Sequence, residues 1–80
     1  MSLDEVSIGS LNLVKKVMPP EDRPELGNQL EDIGFLPGEQ VTVLRKGFVS
    51  GGPYLVRIGA STFALRQSEA EMIEVESFSV

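Results

Sequence analysis

Apolar residues recur in two rhythms along this chain, and the switches between them fall at proline and glycine. Leu11, Leu13 and Val17 alternate with polar or basic neighbours, so residues 10–18 are predicted as a half-buried strand entered through a turn at Ser7-Ile8-Gly9. Pro19-Pro20 ends it, because proline has no amide donor for a ladder and fixes its own φ. A helix start follows. Asp22 can accept from the first free amides, Pro24 suits the first turn, and Glu25 stands three residues after Asp22 in capping-box spacing. Leu26, Leu30 and Ile33 then recur at i, i+4 and i+7, which predicts one apolar stripe on a short helix that Gly34 stops. Gly27 weakens that helix by about 1 kcal/mol against alanine, so it holds only when docked.

Beyond the helix the period returns to two. Pro37-Gly38 matches the centre of a type II turn, since proline presets φ at the first position and glycine accepts positive φ at the second. The β-branched run Val41-Thr42-Val43 marks a strand from near Gln40 to Arg45-Lys46, followed by a glycine-rich loop over residues 47–53. Tyr54, Val56 and Ile58, the turn Gly59-Ala60-Ser61, and then Phe63 and Leu65 form a hairpin signature. Ser68 and Glu71 have capping-box form over a single helical turn, after which Ile73 and Val75 resume the alternation of a closing strand. Five short strands with a helix between the first and second do not suit a doubly wound sheet, whose crossovers each need about a dozen residues. The expected fold is mainly β with one or two short helices, a small and partly open antiparallel barrel occupying residues 1–80 as one domain with its core in 7–76.

Composition narrows the function more than the fold. Eighty residues support one modest core, and no apolar run approaches the roughly 18 residues of a membrane span. No charged segment followed by an apolar stretch opens the chain, so a cytoplasmic setting is the default. Twelve acidic residues against seven basic ones give a formal charge of -5, which repels phosphate backbones, and nucleic acid is not an expected partner. The basic pairs Lys15-Lys16 and Arg45-Lys46 would lie close together were their strands neighbours. Met1-Ser2-Leu3 is given no functional weight.

Cysteine and histidine are both absent, which removes disulfides, thiolate nucleophiles and a histidine base for any serine. The chain is therefore not expected to be an enzyme, and no cofactor is assigned. Carboxylates, carbonyls and thioether sulfur remain for metals, and these suit weakly held ions. Glu69, Glu71, Glu74 and Glu76 are the densest cluster and read as a solvated face, so no metal site is assigned. The glycine-rich loop lacks the phosphate-cradling frameworks. Arg66, at the end of a strand, is expected to pair with a nearby carboxylate.

Leu30-Glu31-Asp32-Ile33-Gly34-Phe35-Leu36-Pro37-Gly38, then Val41-Thr42-Val43, Gly52-Pro53, Ala64-Leu65-Arg66 and Ala70-Glu71-Met72-Ile73-Glu74-Val75 together resemble the ferrous iron transport protein A family of small SH3-like barrels. The resemblance covers roughly residues 7–76 and depends on the order and spacing of all the pieces. It implies a non-catalytic accessory component of bacterial ferrous iron uptake. Such a component would act at the cytoplasmic face on a large membrane partner, ferrous iron transport protein B, which carries a G-protein domain. The same barrel is fused to iron-dependent repressors, so the alternative is a self-associating, metal-responsive regulatory domain, and a weak homo-oligomer stays open. Contact is expected through the helix, at Leu26, Gln29 and Leu30, and through the loop tip, at Phe48 and Val49.

Overall fold

A computed structural model of the chain describes residues 1–47 and 52–78. Strands β1 (Asn12–Val17), β2 (Gln40–Arg45), β3 (Tyr54–Ile58), β4 (Ser61–Leu65) and β5 (Ile73–Ser77) form one antiparallel sheet in the order β4-β3-β2-β1-β5. Helix α1 (Glu25–Ile33) lies between β1 and β2, and the short α2 (Gln67–Glu71) between β4 and β5. The sheet is open, with β4 and β5 at its margins, so the mainly-β architecture with an inserted helix stands. Val14, Val41, Val43, Val56, Ile73 and Val75 form the buried face of the sheet, and Leu30 and Phe35 close over it.

The helix stop and the turn after it follow local backbone rules. Gly34 adopts φ +123°; its amide donates to the Glu31 carbonyl at 3.0 Å and the Phe35 amide to the Leu30 carbonyl at 3.1 Å, which satisfies the last carbonyls of α1. Gly38 adopts φ +90°, and the Glu39 amide donates to the Leu36 carbonyl at 3.1 Å, the geometry of a type II turn. This turn is tied to β1: Gly38 donates to the Val14 carbonyl at 2.8 Å and Val14 to the Glu39 carbonyl at 2.9 Å.

The helix starts depart from expectation. α1 begins after Pro24, and no side chain caps it. Glu25 instead accepts from Arg23 Nε at 3.3 Å. At α2 the reaching glutamate lies two residues earlier than the Ser68 and Glu71 frame: Glu69 Oε1 accepts from the Arg66 amide at 2.7 Å.

β1 turns a different face inward from the one its leucines suggest. Val14 and Asn12 are buried, Leu13 is half-buried and Leu11 is exposed. Asn12 is tolerated inside because Nδ2 donates to Ser10 Oγ at 3.0 Å and to the Ser10 carbonyl at 3.3 Å. A register shift against β5 between Val14 and Lys16 then changes the phase.

Two further expectations are overturned. Asn12 pairs with Val41 in an antiparallel register, so Lys15-Lys16 and Arg45-Lys46 run toward opposite ends of the sheet. Lys46 Nζ donates to the Asp4 carbonyl at 3.1 Å. The opening residues are structural: Leu3, in a 3-10 turn over Leu3–Glu5, is 0% exposed in the core. Ser2 bridges Glu74, and the Val75 amide donates to the Met1 carbonyl at 2.8 Å, which extends the pairing on the outer edge of β5.

Candidate interaction groove

Helix α1 does not bury the stripe its sequence predicts. Leu30 is 2% exposed and Leu26 packs partly buried against the core, whereas Ile33 is 38% exposed. Gly27 takes the third buried place. Its missing side chain lets α1 lie directly on Pro19, where a Cβ would meet the ring at 2.8 Å.

α2 is placed by Ala70, which is fully buried, and by Met72 just beyond its end. Between the two helices lies an open groove of about 390 Å³, lined by Arg23, Leu26, Gln29, Arg66, Ser68, Glu69 and Met72. Leu26 and Met72 supply its apolar patches. Gln29 and Ser68 supply neutral polar groups, and the two arginines oppose the single carboxylate of Glu69.

The charges are unequally occupied. Arg23 is engaged by Glu25, whose carboxyl is held below the usual glutamate range first by its own backbone amide and then by the Arg23 guanidinium. Arg66 makes no ion pair among the described residues, contrary to the expectation from its position at the strand end. Glu69 stands beside it in sequence, but its Oε1 accepts the Arg66 amide proton.

Of the residues expected to make contact, Leu26 and Gln29 line this groove. Leu30 is part of the core and holds the helix down, so its side chain is not at the surface. Phe48 and Val49 lie outside the described residues. Arg23, Arg66, Ser68 and Met72 were not among the expected contacts; they meet only because α1 and α2, far apart in sequence, converge. Their types alone carry no signal of this. Among the described residues no three or more carboxylates are gathered to hold a metal ion. No described helix is long and apolar enough to cross a membrane.

Comparison with known proteins places this geometry in a family. The family model described as the FeoA domain matches residues 1–77. Among solved structures, the zinc complex of FeoA from Stenotrophomonas maltophilia is 36% identical with a TM-score of 0.84 over 95% of this chain and 89% of that one. It is described as a prokaryotic SH3 domain protein and a candidate ferrous iron transport activating factor. FeoA from Chlorobium tepidum is 29% identical with a TM-score of 0.85 over 99% of this chain and 71% of that one. A manganese-dependent transcriptional repressor, 22% identical, shares the fold with a TM-score of 0.82 over 98% of this chain and 41% of its own. A search of curated proteins gives no match. The donor set here does not fit a zinc ion such as the Stenotrophomonas protein holds: the chain has neither histidine nor cysteine, and the described carboxylates are dispersed.

Proposed function

The chain belongs to the FeoA domain family, and from that membership we propose that it is a non-catalytic accessory protein of ferrous iron uptake. It acts in the cytoplasm by binding the cytoplasmic portion of ferrous iron transport protein B and modulating transport. Family membership carries this reading, and the groove between α1 and α2 supports it as the contact surface. Leu26 and Gln29 are the helix contacts, and Phe48 and Val49, outside the described residues, are further contacts on the sequence reading alone. A concave site with apolar patches, neutral hydrogen-bonding groups and an arginine that makes no ion pair among the described residues suits a peptide segment.

The test is calorimetric titration of the transporter's cytoplasmic portion with this chain and with Leu26→Gln. Leu26 is only partly buried, so the expected outcome is lost binding with little change in melting temperature. A large stability loss would make Leu26 a packing residue only, and absence of binding by the unaltered chain would overturn the proposal. The likeness to the repressor, at 22% identity, carries the fold alone and does not favour a self-associating regulator.

A further inference from the structure

Arg66 is without an ion pair among the described residues of a chain that carries twelve carboxylates against seven basic groups. Arg23 is the one basic side chain with an ion pair among the described residues, so what sets Arg66 apart is its place: it is exposed on the wall of the groove. The nearest candidate in sequence, Glu69, spends Oε1 on the Arg66 backbone amide. Across the groove, Arg23 is already engaged by Glu25.

Resting on the functional reading above, we propose that the groove recognises a partner segment in which an acidic residue stands beside an aliphatic one. Arg66 binds the carboxylate, Leu26 and Met72 receive the aliphatic side chain, and Gln29 and Ser68 bond the peptide backbone. Planar guanidinium and planar carboxylate match through two parallel hydrogen bonds. Glu69 on the same wall and Glu25 on Arg23 make the site a poor one for a doubly charged phosphate, and a singly charged carboxylate meets less repulsion. A formal charge of -5 opposes an acidic segment at long range, so recognition rests on the local pairing with Arg66.

The experiment has two arms. In the first, a short blocked peptide of alternating leucine and glutamate, its leucine and glutamine counterpart, and inorganic phosphate are each titrated while the resonances of Arg66, Ser68 and Gln29 are followed. In the second, the transporter's cytoplasmic portion is titrated with the unaltered chain, Arg66→Gln, Arg66→Lys and Arg57→Gln, the last an exposed arginine outside the groove. The glutamate peptide is expected to shift those resonances, with affinity falling as salt rises. Arg66→Gln weakens binding about tenfold or more, Arg66→Lys less, and Arg57→Gln not at all. Equal binding of the glutamine peptide, preference for phosphate, or unchanged affinity in Arg66→Gln overturns the inference while leaving the transporter reading in place. Binding of the glutamate peptide in the groove, with no binding of the transporter portion, overturns the transporter reading and leaves the groove's specificity standing.

Discussion

A Cβ on Gly27 would stand 2.8 Å from Cγ of Pro19, closer than packed side chains approach. Pro19 is the first residue of the break that ends β1, and Gly27 sits in the first turns of α1, so the pair fixes how the helix is seated. Gly27→Ala gains helix propensity of about 1 kcal/mol but must displace a rigid ring, which costs about 1–3 kcal/mol. We expect net destabilisation of about 1 kcal/mol by denaturant titration. Pro19→Ala in the same chain relieves the clash, so the two changes should be clearly non-additive.

Leu3 and Leu11 separate packing from pattern. Leu3 is fully buried although it stands in the first three residues, and Leu11 is exposed although it opens an alternating run. Leu3→Ala should cost about 2–5 kcal/mol, while Leu11→Ala should stay within about 0.5 kcal/mol. Comparable losses at the two positions would contradict the face assigned to β1.

The turn at Pro37-Gly38 carries a conformational test free of packing. Gly38 has φ +90°, and nothing lies within 4 Å of where a Cβ would be. Any effect of Gly38→Ala is therefore backbone strain, about 1–2 kcal/mol. Gly38→Asn should lose less, because asparagine tolerates positive φ at this turn position. Equal losses in thermal melts would show that space, not φ, is limiting.

Much of this was legible because it depends on neighbours in sequence. Gly34 and Pro37-Gly38 announce a helix stop and a turn by their own φ preferences, and the structure places both as predicted. The inward face of β1 was not legible. Asn12 is buried by courtesy of Ser10, and the phase change after Val14 exists only in the register with β5. Ile33 is a related case: leucine spacing predicts it on the inward stripe, whereas in the structure it is 38% exposed and Gly27 lies buried against Pro19. Leu26 and Gln29 are legible as residues of one helix, but Arg66 and Met72 join them in the groove only through tertiary folding.

Glu5 provides a pH-dependent prediction with a definite sign. Its Oε1 accepts from Ser2 Oγ at 2.7 Å and from the Ser2 amide at 3.0 Å; the hydroxyl first, then the amide, lowers its pKa below the usual glutamate range. A carboxylate depressed in the folded state contributes stability above its unfolded pKa, and that contribution is lost as pH falls through the folded value. Ser2→Ala should therefore raise the midpoint of the Glu5 carboxyl seen by NMR. Its stability deficit should be present at neutral pH and shrink as both chains are acidified. The Ser2 hydroxyl also reaches Asp4 Oδ1 at 2.6 Å.

The pairing of β1 with β5 sets Asn12 opposite Ser77, so two adjacent strands are made with every other strand between them in sequence. β1 emerges early and must remain uncommitted while α1, β2, β3 and β4 are added. Leu3 waits as well, since Met1 and Ser2 make their strand contacts on β5. Folding is consequently a late event during translation, gated by the appearance of residues 73–77 and slowed by the long loop that their docking closes. A nascent chain stalled before Ile73 should remain protease-sensitive, and one released past Ser77 should become resistant in a single step.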